Sequence, residues 1–139
     1  MAKNFGQQTK TVLITGAGGN LGEASVRRFA AAGWKVIAVV SPGKKLPYAV
    51  DGQLTVVDAD LTNEVSGRQL VSAIDGVLDA VLLLAGGYQY GPLADVSGEQ
   101  IKKMIALNFD TAFHVAMPAF KKMQEQHHGR IVLVGAQPA

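Results

Sequence analysis

The chain has 139 residues, 48 % of them hydrophobic and 17 % charged. That suits one folded domain with one core and excludes a disordered chain. A net charge of +2 gives no ground for a nucleic-acid or anionic-membrane partner, and the lack of cysteine excludes disulfides, a thiolate nucleophile and Cys-based metal sites. The lysine pairs at 44–45, 102–103 and 121–122 read as solvated surface. The opening MAKNFGQQTK lacks the apolar core of a secretion signal, and the longest unbroken apolar stretch, 80–85, is too short to cross a bilayer. A cytoplasmic location is the expectation.

Residues 11–14 (TVLI) are apolar and β-branched, the composition of a buried strand. A glycine-rich turn follows. A helix is expected from about 20 to 32, with Leu21, Val26, Phe29 and Ala30 on one face and Gly33 as terminator. Residues 34–40 (WKVIAVV) form a second strand. SPGKKLPYAVDG is a loop, punctuated by two prolines and two glycines. Residues 54–58 (LTVVD) are a third strand, after which Thr62 can cap a helix running to about 74. Residues 79–84 (DAVLLL) are a fourth strand, and 85–96 a loop. A long helix then starts at Ser97 as N-cap. Ile101, Met104, Ile105, Asn108, Ala112, Val115, Ala116, Ala119 and Met123 recur at its period, and Pro118 is a candidate bend. His127, His128 and Gly129 end it, and 131–134 (IVLV) are a fifth strand. Strands alternating with helices predict a parallel sheet with right-handed crossovers, as a single domain. No internal repeat or linker interrupts it.

TGAGGNLG, residues 15–22, joins the first strand to the first helix. Glycines allow a tight turn and close approach of a phosphate, and the helix behind them offers free N–H groups and a positive dipole end. A turn with nothing bound would need one glycine; four are present. The rival NTPase loop needs Gly-Lys-Ser/Thr, and Leu21-Gly22-Glu23 stands there instead. A dinucleotide pyrophosphate is the expected ligand, held by Gly16, Gly19 and Gly22, with Thr15, Gly18, Asn20 and Leu21 as further cofactor-binding candidates.

Thr-Gly-x-x-Gly-x-x-Gly in this position resembles the short-chain dehydrogenases/reductases, along the whole chain, and the likeness implies a Rossmann-type doubly wound α/β/α sandwich with strand order 3-2-1-4-5. The resemblance implies that Asp60-Leu61 holds the adenine. Ala85-Gly86, with Gly87, matches the end of the family's Asn-Asn-Ala-Gly motif beside the nicotinamide ribose. Asn108 matches the helix Asn that helps position the active-site Lys through water, a supporting catalytic role. Gly129-Arg130-Ile131-Val132 matches the lead-in to the fifth strand. Three departures stand out. Many members carry Gly at the position of Asn20, although Asn tolerates unusual backbone angles. Leu83 and Leu84 replace the Asn pair, so a side-chain brace between strands is expected to be missing. The family's catalytic Ser would fall near Ala136. LLLAGGYQYG (82–91) and LVGAQPA (133–139) resemble dihydropteridine reductases, a subgroup that also lacks the Ser and reduces a quinonoid pterin with NADH or NADPH.

An acidic residue usually closes the second strand of NAD enzymes, about 20 residues past the loop. Val39-Val40-Ser41 stands there, followed by Lys44 and Lys45. Ser41 and Lys44 are therefore candidates for a 2′-phosphate, and NADP is the expected cofactor, with NAD open; the alternative for both lysines is ordinary loop charge.

Hydride transfer belongs to the cofactor, and the protein orients it and supplies a proton donor. In this family that donor is the Tyr of Tyr-x-x-x-Lys. Four residues after Tyr48, Tyr88 and Tyr90 come Gly52, Pro92 and Ala94. Tyr88 and Tyr90 either line a substrate pocket or pack as surface aromatics. His114 is expected to be half-buried. His127 and His128 are expected to cap the helix or face solvent, with no metal site, and Asp95 and Glu99 to serve the helix dipole. The fifth strand would be an apolar, unprotected edge. Either the chain is the first part of a longer reductase, which is the expectation, or another chain covers the edge of a complete, non-catalytic dinucleotide-binding module. The expected function is NAD(P)H-dependent reduction of a small carbonyl or quinonoid substrate. The long helix has more apolar positions than one face needs, and the resemblance implies a homodimer or homotetramer.

Overall fold

The computed structural model describes residue 6 and residues 8–136. Five strands, β1 (Thr11–Ile14), β2 (Lys35–Val40), β3 (Leu54–Asp58), β4 (Ala80–Leu83) and β5 (Arg130–Leu133), form one parallel sheet in the order β3-β2-β1-β4-β5. Register sets Leu13 beside Ile37 on one side and Val81 on the other. Successive side chains on a strand point to opposite faces. Leu13, Ile37, Val39, Val81 and Leu83 thus enter one core layer, and Val12, Ile14, Val36, Ala38 and Ala80 the other. Helix α1 (Asn20–Ala31) covers the second layer, and α2 (Glu64–Ser72) and α4 (Thr111–Gln126) the first. Burial on both faces explains the unbroken apolar runs of the central strands.

The connection 41–53 between β2 and β3 contains no helix. Leu46, Tyr48 and Val50 take its place, packing on the layer beside Phe29 and Trp34. Trp34 precedes β2; its ring meets Phe29 edge-on at 4.9 Å, with the Lys10 ammonium 5.5 Å from its centroid.

Two expectations are corrected. Thr62 is not the cap of α2. The Asp60 carboxylate accepts both the Thr62 amide (3.0 Å) and the Thr62 hydroxyl (2.6 Å), which closes a local turn. The helix starts a residue later, where Asn63 Oδ1 accepts from the amides of Val65 and Ser66. The long helix is not one helix. Ser97 does cap α3 (Gly98–Ile105), in a reciprocal box with Gln100. Residues Ala106–Asp110 then form a π turn before α4. The Asn108 side chain donates to the Met104 carbonyl at 2.9 Å, the acceptor that Asn108's own amide would use in a regular helix.

Pro118 lies inside α4 and cannot donate to the His114 carbonyl. Gly67 of α2 packs against that carbonyl so closely that a Cβ there would overlap it. At the other end of α4, His127 is a left-handed C-cap (φ 59°), and His128 Nε2 meets Asp79 Oδ1 at 2.8 Å. Asp79 also accepts the Thr11 amide (2.8 Å), while Gln126 bonds both backbone groups of Leu78. These groups tie α4 to the starts of the strands. β5 is the sheet edge, with Val132 and Leu133 exposed. No helix among the described residues is long and apolar enough to cross a membrane.

Candidate functional site

In a doubly wound sheet the crevice lies beyond the carboxyl ends of the strands, where the strand order reverses. Here that place is between β1 and β4, and the glycine loop fills it.

The glycines divide by role. Gly16 has φ +62°, and a Cβ would sit 2.7 Å from the Leu84 carbonyl. A Cβ on Gly22 would overlap the backbone of Gly16 and Ala17. These two permit the turn and the seating of α1 on β1. Gly18 has no atom within 4 Å of the Cβ position, and Gly19 only the Gly16 carbonyl at 3.5 Å. They form the open side of the loop. Gly19 is the N-cap of α1 in an extended conformation, and no side chain caps the helix. The first-turn amides of Asn20, Leu21 and Gly22 therefore lie at an uncapped helix mouth. Asn20 is the first helical residue and has no positive φ, so the position does not require glycine.

Thr15 is buried, with 1 % exposure. Its hydroxyl accepts from the amides of Leu84 (3.0 Å) and Ala85 (3.1 Å). Thr15, just past β1, thus ties the backbone beyond β4 without any polar side chain at 83 or 84.

A cleft of about 230 Å³ continues from the loop. Gly16, Ser41, Asp60, Leu61, Ala85 and Gly86 line it, so the segments after four strands, β1 to β4, converge there. Asp60 is locked by Thr62. The Leu61 carbonyl accepts from His114 Nδ1 (2.9 Å); a carbonyl only accepts, so this nitrogen carries the proton. Asn108 holds the opposite wall. Its Oδ1 accepts the Gly87 amide (3.1 Å) and its Nδ2 donates to the Gly87 carbonyl (2.9 Å). A Cβ on Gly86 would lie 2.8 Å from that oxygen. Ala85-Gly86-Gly87 is thereby fixed by Thr15 on one side and Asn108 on the other.

Lys44 is not in the cleft wall. Its amide donates to the Ser41 carbonyl (3.0 Å), closing a turn through Pro42 and Gly43. Asp58, opposite Val40 in the register, accepts the Gly43 amide (3.1 Å). A larger cavity, about 690 Å³, is lined by Asn108 together with Tyr90, Val96, Ile101, Met104 and Phe109. Tyr90 borders it; Tyr88 is exposed and is not among its lining residues. Ala136 is exposed beyond β5, and 137–139 of the LVGAQPA stretch lie outside the described residues. No metal-binding cluster occurs among the described residues.

Sequence reasoning missed Tyr48 and Asp58. Tyr48 Oη donates to the Ala17 carbonyl at 2.8 Å, across 31 positions of chain. Burial raises its pKa above the ordinary phenol value, as does the Glu23 charge, with Arg27 opposing. Nothing local in YAVDG signals that contact.

Residues 10–139 match the family model described as short chain dehydrogenase. With the glycine loop, strand order and cleft, this places the chain in the short-chain dehydrogenase family. It is 31 % identical over 140 residues to an acetoacetyl-CoA reductase of Acinetobacter sp., covering 93 % of this chain and 56 % of the relative. A 3-oxoacyl-acyl-carrier-protein reductase, MabA, of Mycobacterium tuberculosis is 30 % identical over 131 residues, covering 92 % and 51 %. A short-chain dehydrogenase/reductase structure from Mycobacterium ulcerans superposes with a TM-score of 0.84 at 28 % identity, covering 91 % of this chain and 51 % of that one. The chain spans about half the length of the curated relatives it matches.

Proposed function

We propose that this protein binds a nicotinamide dinucleotide along the strand ends and serves as the cofactor half of an NAD(P)H-dependent reductase. The observation that carries this is the uncapped mouth of α1 behind the open glycines 18 and 19, in the same loop whose Gly16 lines the cleft at the reversal of strand order. The residues present fit such a group. Gly18, Gly19 and the amides of Asn20 to Gly22 take the pyrophosphate, and Gly16 and Gly22 shape the turn. Asp60 and Leu61 border the adenine; Ala85, Gly86 and Gly87 border the nicotinamide ribose. Thr15 and Asn108 position that last segment. The bound dinucleotide supplies the hydride. The Tyr-x-x-x-Lys spacing does not occur among these 139 residues. In this reading the described residues bind and orient the dinucleotide.

NADP is the favoured form. Ser41 borders the cleft, Lys44 shares its turn, and the nearby Asp58 carboxylate is already engaged by Gly43. The substrate class is a small carbonyl or quinonoid compound. The names of the Acinetobacter and Mycobacterium relatives favour the carbonyl; the AGG and LVGA stretches favour a pterin-like quinonoid. Assembly as a homo-oligomer is part of the same reading. It is supported by Ile105, Phe109, Phe113 and Met117, an exposed stripe along the π turn and α4.

Calorimetric titration with NADH and NADPH tests the binding reading, with Gly19→Asp as control. Gly19 has φ −83° and ψ 171°, which any residue adopts, and Asp is a good N-cap, so the variant folds. Its carboxylate occupies the anion site, and binding is lost. No heat from the wild type with either dinucleotide, or unchanged binding by the variant, refutes the reading. Tighter NADH than NADPH binding refutes the preference.

A further inference from the structure

We propose that Tyr48 is a positioning residue for the phosphate loop, and that it couples the loop to the turn carrying Ser41 and Lys44. The inference rests on the dinucleotide reading above and adds a determinant of affinity outside the glycine motif.

The connection 41–53 contains no helix. Besides the packing of Leu46, Tyr48 and Val50, three side-chain hydrogen bonds tie it to the rest of the fold. The Gly43 amide donates to Asp58 (3.1 Å), and Arg27 Nη1 donates to the Ala49 carbonyl (3.0 Å). The third tie is the Tyr48 hydroxyl to the Ala17 carbonyl, at 2.8 Å. Arg27 also covers the Tyr48 ring, with its guanidinium carbon 5.1 Å from the centroid, and is itself held by Glu23 at 2.7 Å. Glu23 and Arg27 lie on α1, whose first turn is the proposed anion site. The connection is thus clasped onto the helix that bears the site.

Ala17 is fully buried and constrained from two directions. Its amide donates to the Val39 carbonyl of β2 (3.1 Å), and its carbonyl is taken by Tyr48. A peptide unit is planar and trans, so its C=O and the next N–H point in opposite directions. Fixing the Ala17 carbonyl toward Tyr48 therefore fixes the direction of the Gly18 amide. Gly18 has open space around it and little steric restraint of its own. An amide prearranged for an anion binds it without the cost of ordering the loop. The same connection carries Ser41 and Lys44, so one hydroxyl links the pyrophosphate and adenosine ends.

The test is Tyr48→Phe, which keeps the ring, its packing and the Arg27 stack and removes only the hydroxyl. NADH and NADPH affinities are measured by calorimetry, and amide exchange over 16–20 is followed in the ligand-free protein. The loss of one net hydrogen bond predicts weakening of about three- to tenfold. Both dinucleotides should weaken, NADPH at least as much as NADH because the turn carrying Ser41 and Lys44 is released with the loop, with faster exchange at Gly19, whose amide donates to the Gly16 carbonyl (3.1 Å). A Ser41→Ala or Lys44→Ala change should instead weaken NADPH alone. A purely structural Tyr48 would lower the melting temperature and leave affinity and Gly19 exchange unchanged, which overturns the proposal. If the wild type binds and Tyr48→Phe binds equally well, this inference fails and the dinucleotide reading stands. If the wild type binds neither dinucleotide, both fail.

Discussion

Thr15 offers the sharpest test of how the site is built. Its hydroxyl accepts two amides, Leu84 at 3.0 Å and Ala85 at 3.1 Å, and the side chain is almost fully buried. Thr15→Val keeps the shape and removes the acceptor. Each buried donor left without a partner costs about 1–3 kcal/mol. Leu84 and Ala85 are only half-buried, so water recovers part of this. The expected loss is about 2–3 kcal/mol, out of roughly 5–15 for a domain of this kind. Thr15→Ser keeps the acceptor and loses one methyl, at a cost of about 1 kcal/mol. Urea unfolding followed by far-ultraviolet circular dichroism separates the two. With a slope of about 2 kcal/mol per molar, the valine midpoint falls by about 1 M or slightly more, and the serine midpoint by about half as much. A valine variant within 0.5 kcal/mol of wild type, or a serine variant as damaged as the valine, would show that the two hydrogen bonds do not hold the end of β4.

Three further outcomes follow from the geometry. Gly22→Ala places a Cβ on the backbone of Gly16 and Ala17 and should lower stability by about 2–3 kcal/mol. Gly18→Ala meets no atom within 4 Å and should stay within about 0.5 kcal/mol; equal effects in thermal unfolding refute the division of roles. The raised pKa of Tyr48 means that the folded state favours the neutral phenol. Its contribution to stability is complete below the unfolded value near 10.0 and is lost as pH rises through the higher folded value. Tyr48→Phe should flatten this part of a pH–stability profile, and an identical alkaline decline in both proteins contradicts the assignment. Phe109 and Phe113 stack with parallel rings 6.2 Å apart on the exposed stripe. Light scattering should report an oligomer that Phe113→Glu weakens; a monomeric wild type removes the basis for that face.

The Rossmann-type sheet was legible because its signals are local and repeated. TVLI, KVIAVV and LTVVD have strand composition, the glycines at 16 and 22 have steric necessity, and parallel strands in sequence leave few topologies. Ser97 was legible as a cap because its partner, Gln100, lies three residues away. Thr62 and Asn63 were not separable by propensity, since both residue types cap helices. Asp60 decided between them by engaging the Thr62 hydroxyl first. The π turn depends on Asn108 reaching Gly87, 21 residues upstream, and the clasp on the phosphate loop depends on Tyr48 reaching Ala17. Composition and periodicity encode which surfaces must be buried, and so determine the layers. Which polar atom meets which across the strand ends depends on where the crossovers deliver them, and only the folded chain decides that.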